Sequence, residues 1–362
     1  MERNVSRRQF VIGGAAVLGC GMIGLLSGCT ASGSAAGASG GTQQANAAEG
    51  GEGAGPITMV WLPGSSATDF TSAREAFGDV ITTACGREVE LMTTTDYNVA
   101  IEALASGAAG MGYLGAEGYV QANKKNPNVH AGFVQSDKEG GLEGACYYSR
   151  ICVPTEHADE YKDGDGYSIA NIKGKSMSFV SATSTSGFAV PADLIVGEFG
   201  LESSDELLEA GAFFSDVIFG NSHPGSCVNL LAGDAEVAAF DDIGVDMYLD
   251  LVSGEPNTVG AVYKVKESSE APFDGVRGKE FTIISISPVM NAPICFNYDI
   301  VSEEEAKKIT EYFCSDTVAN DERIFVDPED ENAVGFYKKS SDKVGFVEVT
   351  DEWFDPIREL NA

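Results

Sequence analysis

Five hydroxyl side chains fall within the six residues Ser181-Ala182-Thr183-Ser184-Thr185-Ser186, and Gly187 closes the run. A strand pattern precedes the run and a helix pattern follows it. Hydroxyls, unpaired backbone N–H groups and the positive end of a helix dipole converge at such a junction. That combination can hold a tetrahedral oxyanion without a cation, and Gly187 would let the backbone approach the bound group. A single serine would be enough for a helix cap; five hydroxyls exceed that need. His223, in Gly220-Asn221-Ser222-His223-Pro224-Gly225, also lies between a strand and a helix and could donate to an oxyanion. Asp241-Asp242 ends the apolar run Val237-Ala238-Ala239-Phe240 in an equivalent position, where a loop or cap pair is the plain alternative.

Ser186, His223 and Asp241 also stand in the chain order of a hydrolase triad. Against an enzyme, no glycine lies two positions before Ser186, so the nucleophile-elbow pattern is missing.

Short apolar strands alternate with helix-length segments from Ile57 onward. Strands are expected at Ile57–Leu62, Glu88–Met92, Ala109–Leu114 and Val129–Gln135, with helices at Ser72–Cys85 and Asp96–Ser106. The pattern then restarts with strands at Tyr147–Val153, Ser176–Val180, Phe213–Phe219 and Glu236–Phe240. Helices are expected at Phe188–Glu198, Ser226–Ala232 and Gly244–Leu251. Ala261–Val265, Phe281–Ser287 and Ile294–Tyr298 follow as strands, with a break at Pro288–Pro293. Ser302 should cap a helix to Cys314, with Glu305 three residues on. The alternation predicts an α/β fold of two lobes, each a mostly parallel sheet flanked by helices, with a ligand cleft between them. The expected division is 56–147 for the first lobe, 148–289 for the second and 290–362 for a return to the first, where Trp353 and Phe354 pack.

The segment Phe179–Phe188, with Pro191 shortly after, resembles the signature of the phosphonate-, phosphite- and phosphate-binding proteins of ABC importers, the PhnD-like family. The similarity continues through the Gly/Ser-His loop, Leu230-Leu231-Ala232-Gly233 and Val237–Asp242. Upstream, Thr95-Asp96-Tyr97 resembles the family's Tyr-bearing helix start. The resemblance implies a type II periplasmic-binding-protein fold and a ligand-binding rather than catalytic role. By position, Ser184, Thr185 and Ser186 would hold oxyanion oxygens, while Tyr97 and His223 donate from facing loops. Tyr147, or Tyr148 in its place, would stand near the hinge. Asp241 or Asp242 would face the far end of the ligand or a ligand proton. Tyr113-Leu114-Gly115-Ala116-Glu117 departs from the aromatic-Gly-Asn form of some members. The implied ligand is a small phosphorus oxyanion, and the implied partners are a permease and an ATPase. A sensor subunit that signals to a membrane partner is the alternative within the same fold.

The chain has 362 residues and a formal net charge of −32, with 23 Lys+Arg against 55 Asp+Glu. This balance excludes a nucleic-acid partner, which needs a basic footprint. Apolar residues make up 43% of the chain, enough to exclude wholesale disorder. Residues 1–28 read as an export signal. Ser6-Arg7-Arg8-Gln9-Phe10 resembles the twin-arginine motif, and Leu26-Ser27-Gly28-Cys29 resembles a lipobox that would place lipid on Cys29. An uncleaved membrane anchor fits less well, because the apolar run is rich in glycine. Signal removal takes away three Arg and one Glu, leaving a charge of about −34. The tether that follows, to Gly55, is made almost only of small and polar residues and would reach about 25–30 Å. An extracytoplasmic, lipid-anchored monomer is expected, with no cofactor. Cys85, Cys146, Cys152, Cys227, Cys295 and Cys314 read equally as disulfide partners or buried thiols. Three histidines and no C-x-x-C give a metal site little support.

Overall fold

The computed structural model describes residues 55–64, 70–330 and 335–360. The expected export signal, Cys29 and nearly all of the expected tether lie outside the described residues. Two large mixed sheets divide the chain. The first runs, edge to edge, Phe346–Glu348, Val129–Gln135, Ile294–Asn297, Met111–Tyr113, Ile57–Trp61 and Val89–Thr93. The second runs Leu249–Ser253, Val262–Val265, Glu280–Met290, Cys146–Pro154, Val237–Asp241, Ser176–Phe179 and Asp216–Phe219. Every strand of the second sheet falls between residues 146 and 290, so the chain leaves the first lobe once and returns once. The strands on either side of these crossings, Cys146–Pro154 and Glu280–Met290, pair antiparallel from Phe281 opposite Pro154 to Met290 opposite Cys146.

The sheets are mixed rather than mostly parallel. In the two large sheets, parallel pairing is confined to Ile57–Trp61 with its two neighbours and Ser176–Phe179 with its two. The returning strand Ile294–Asn297 enters between Met111–Tyr113 and Val129–Gln135, antiparallel to both. Such pairings between distant segments leave no local trace in the sequence.

The principal helices are α1 (Thr71–Cys85), α2 (Tyr97–Ser106), α3 (Ala116–Lys125), α4 (Val190–Phe199), α5 (His223–Ala232) and α6 (Glu303–Phe313). Their ends follow local chemistry. The Asp96 carboxylate accepts from Asn98 and Val99 N–H at the start of α2, and Gly107 ends it at φ +81°. Ser302 and Glu305 form the expected reciprocal capping box on α6. Near the C-terminus Phe354 packs on Tyr119 of α3, and the Tyr119 hydroxyl donates to Asp351, which ties the tail to α3.

Two expectations fail for identifiable reasons. Gly244–Leu251 is not a helix: a single turn at Asp246–Tyr248 is fixed by bonds to Asp242 and Arg150, and Leu249–Ser253 joins the sheet edge beside Val262–Val265. The break expected at Pro288–Pro293 is confined to Asn291–Pro293, and Pro288 itself lies within the strand. That residue pairs opposite Tyr148 where Val262–Val265 no longer flanks the strand, so its missing N–H faces the open side. Cys85, Cys146, Cys152, Cys227, Cys295 and Cys314 are all free thiols.

Candidate functional site

Four helix starts from both lobes meet around one small cavity. The first lobe sends Tyr97 at the first position of α2 and Gly115 at the N-cap of α3. The second lobe sends Ser184, Thr185 and Ser186 at the turn entering α4, and His223 at the first position of α5. First-turn N–H groups have no acceptor within their own helix, so these ends together present positive potential without a cation. The remaining walls are Tyr113, Tyr147, Asp241, Gly244 and an apolar side formed by Leu62, Phe70, Ile243, Ala292 and Phe336. Among the described residues, no lysine or arginine lines the cavity. Its volume is about 70 Å³, several times the ~10–15 Å³ a single water needs and far below the ~300–1,000 Å³ of pockets for drug-sized ligands. A larger groove of about 680 Å³ lies elsewhere on the second lobe, beside His157, Leu231 and Glu236, and has no such convergence of donors.

The α4 entry departs from a regular helix. Thr185–Ala189 forms a π turn, a feature that concentrates at functional sites. Ser184 Oγ caps it by accepting Gly187 N–H at 3.1 Å, and Ser184 also hydrogen-bonds the Tyr97 hydroxyl. Ser184, Thr185 and Ser186 are 2%, 2% and 1% exposed, so a charge placed among them is shielded from water. Thr185 also bridges the lobes, because its Oγ1 accepts Glu117 N–H from α3 at 2.9 Å. A Cβ on Gly115 would lie 2.8 Å from that oxygen, so glycine there is what allows this approach. Gly187 has a packing reason to be glycine as well. A Cβ there would sit 2.3 Å from Val180, at the end of the preceding strand, so close packing there also requires glycine.

Asp241 gathers the donors of the cavity. Its Oδ1 accepts Gly244 N–H at 2.8 Å, its Oδ2 lies 3.1 Å from His223 Nε2, and Ser186 hydrogen-bonds it as well. The Tyr147 hydroxyl donates to Ser186 Oγ at 3.2 Å. His223 Nδ1 accepts Asp241 N–H at 3.0 Å, which leaves the ring proton on Nε2. Burial pushes the His223 pKa down to about 3, so the ring is neutral and its contact with Asp241 is a hydrogen bond and not an ion pair. Burial pushes the Asp241 carboxyl up to about 7, opposed by the Gly244 hydrogen bond and the charge of Arg150. Tyr97, Tyr113 and Tyr147 are driven above the normal phenol range, mainly by burial, and stay protonated donors.

The geometry brings Tyr97, Tyr147, Ser184, Thr185, Ser186, His223 and Asp241 together, and it separates Asp242 from them. Asp242 accepts Tyr148 N–H and Asn257 Nδ2, at 3.0 and 2.8 Å, on the far side of the turn. It pins the strand Cys146–Pro154 and does not line the cavity. Tyr147 rather than Tyr148 lines the cavity. The triad does not assemble: both ring nitrogens of His223 are turned to Asp241, and Ser186 Oγ is engaged by Tyr147 and Asp241. Sequence reasoning marks the Tyr113–Glu117 loop only as a departure from the family form, and it misses Phe70 and Phe336. Lone aromatics with helix or strand periodicity look like core residues, and nothing local distinguishes these two.

The family model for the periplasmic substrate-binding protein of ABC phosphonate transporters matches residues 59–354. The phosphate-import protein PhnD of Mycolicibacterium smegmatis is 25% identical over 210 residues, covering 58% of this chain. The chain spans 62% of the length of that curated relative. Among solved structures, a binding-protein component of an ABC phosphonate transporter from Pseudomonas aeruginosa aligns with TM-score 0.58 and 16% identity, over 85% of this chain and 86% of its own. PhnD1 from Prochlorococcus marinus, in complex with methylphosphonate, aligns with TM-score 0.56 and 14% identity, over 84% and 96%. These structural likenesses establish the two-lobed fold, and the family is a transporter component and not an enzyme. From the family match across most of its length, the chain belongs to the periplasmic substrate-binding proteins of ABC phosphonate transporters.

Proposed function

We propose that this protein captures a small phosphorus oxyanion, a phosphonate, phosphite or phosphate, and delivers it to an ABC importer. The observation that carries this reading is a small cavity, lined by no lysine or arginine among the described residues, in which neutral donors from four helix starts surround one carboxylate. Ser184, Thr185, Ser186, Tyr97, Tyr147 and His223 donate to the oxyanion, and Asp241 shares a proton with it. Asp241 itself holds the Ser186 and His223 donors that a ligand oxygen would use. Charge-assisted hydrogen bonds contribute about 1.5–3 kcal/mol each, so five to seven reach micromolar affinity.

A dianion beside an ionised Asp241 is unfavourable, and one proton between them removes the repulsion. Phosphorus oxyanions bring that proton or accept sharing it, whereas sulfate has none to offer near neutral pH. Affinity for a titrating ligand should therefore peak near neutrality: at low pH binding releases a proton, and at high pH it must take one up. The apolar side suits the carbon substituent of a small phosphonate. Lipid on Cys29, export by the twin-arginine route and a monomeric state complete the proposal; among the described residues no helix is long and apolar enough to cross a membrane. Calorimetry with phosphate, phosphite, methylphosphonate, 2-aminoethylphosphonate and sulfate tests the site. Micromolar binding of at least one phosphorus oxyanion, with sulfate much weaker at pH 8, is the expected result; sulfate binding equally well at that pH would refute the shared-proton account. Release of the protein from membranes by Cys29→Ser tests the anchor.

A further inference from the structure

Next to the cavity, on the side away from the ligand space, lies a fully buried cation that nothing in the binding scheme uses. Arg150, on the strand Cys146–Pro154, is 0% exposed and sits opposite Phe240, one residue from Asp241. Its guanidinium grips Asp246 with two bonds, Nη1 to Oδ1 at 2.6 Å and Nη2 to Oδ2 at 3.0 Å. It also donates to Asn257 Oδ1 through Nε at 2.9 Å and through Nη2, and lies 4.7 Å from the centre of the Tyr263 ring. Asn257, held at φ +51°, passes the connection on by donating to Asp242, which accepts the hinge amide of Tyr148. Asp242 and Asp246 bracket the turn that brings Ile243 and Gly244 to the cavity.

We propose that Arg150 is a positioning residue for ligand binding: by clamping Asp246 and Asn257 it fixes the 242–246 turn, and with it the Asp241 carboxylate, the Gly244 amide and the hinge backbone. The inference rests on the proposed binding site and adds a residue that never touches the ligand. It also carries an electrostatic consequence. The groups facing Asp241 are His223 from α5, Tyr97 from α2, Tyr113 from the first sheet, Tyr147 and Arg150 from the hinge strand, and Asp242 and Asp246 from its own turn. Arg150 favours the ionised Asp241 and Asp246 disfavours it, so neutralising one or the other should move Asp241 in opposite directions.

A merely structural role predicts no such opposition. The test measures the affinity of the full-length protein for methylphosphonate from pH 5.5 to 9, by calorimetry, for the wild type, Arg150→Lys, Arg150→Met and Asp246→Asn. Circular dichroism and melting curves verify that each variant is folded. The ligand's own ionisation is common to all and cancels in the comparison. Arg150→Lys keeps the charge but loses the two-pronged grip, and should lower affinity by about tenfold or more, the scale of losing an outer partner that orients a binding group. Its pH of tightest binding should stay near that of the wild type. Arg150→Met should shift that pH upward and Asp246→Asn downward. If Arg150→Met does not fold, the Lys and Asn variants decide the outcome. Wild-type affinity with an unshifted optimum in these variants, or optima displaced in the same direction, overturns the proposal. A wild type that binds neither methylphosphonate nor phosphate at any pH overturns the binding site itself instead.

Discussion

Two neighbouring regions of the second lobe handle charge in opposite ways. Around Arg150 the charge is answered within the protein: Asp246 pairs with the guanidinium, Asn257 accepts from it, Tyr263 lies against it, and Asp242 holds backbone and Asn257. In the cavity the donors are neutral, and the only carboxylate among the described residues is Asp241, raised to about 7 by burial. The closed network gives rigidity and has no capacity left for a guest. In the open one the donors are held by one another and by Asp241, and a ligand oxygen can take them over. A protein with a net charge of −32 can therefore bind an anion, because long-range repulsion is screened within about 8 Å at physiological salt and local dipoles act inside the buried cavity.

Replacing Ser184, Thr185 and Ser186 together by Ala should have the largest effect. Three lost charge-assisted bonds amount to about 4–9 kcal/mol, so affinity for methylphosphonate should fall by about a thousandfold or more, and ligand-induced thermal stabilisation should vanish. The ligand-free protein should lose only about 1 kcal/mol through the Ser184 cap, plus the Thr185–Glu117 bond. Retained stabilisation by ligand would show that the donors lie elsewhere. Next comes Gly187→Ala, whose new Cβ would meet Val180 at 2.3 Å. Overpacking of this kind costs about 1–3 kcal/mol, and it falls on the turn that aims the donors. Melting temperature and affinity should drop together in this variant; a drop in melting temperature alone would mean that donor placement tolerates a shift of the turn.

The parts of this arrangement that can be read from sequence are those with unusual local chemistry. Five hydroxyls at a strand–helix junction stand out, as do a histidine in a glycine-flanked loop and the Ser302–Glu305 box. Asp241 and Asp242 cannot be told apart, because the strand ending there is buried on both faces and its pattern has no polar side to mark the cavity. Arg150 is invisible for the same reason: one arginine in an apolar strand carries no sign of partners about a hundred residues away. Gly244–Leu251 is misleading because its apolar spacing suits a helix, while the strand pairing that wins comes from Val262–Val265.

Sulfate gives a cleaner probe of Asp241, since it does not titrate near neutrality. Folded Asp241 titrates near pH 7, and a bound dianion raises that value further. Sulfate affinity should thus be highest below pH 7 and weaken by about tenfold per unit above it, about 1.4 kcal/mol per unit. Asp241→Asn should flatten this dependence and strengthen sulfate binding at pH 8.5. A wild-type sulfate affinity independent of pH between 6 and 8.5 would remove the carboxylate from the account.

The smallest effect expected is the one that makes the others readable. Ser302→Ala removes the cap of α6, whose Oγ accepts Glu305 N–H at 3.3 Å, and should cost about 1 kcal/mol. Ser302 belongs to the first lobe and touches neither the cavity nor the Arg150 network. Melting temperature should fall by a few degrees at most, and the dissociation constant for methylphosphonate should not change. If that constant moved, affinity would depend on the general stability of the lobes, and the losses in the triple-alanine and Gly187 variants could no longer be assigned to the donors. An unchanged constant keeps the two quantities separate, so that each affinity loss reports on the cavity itself.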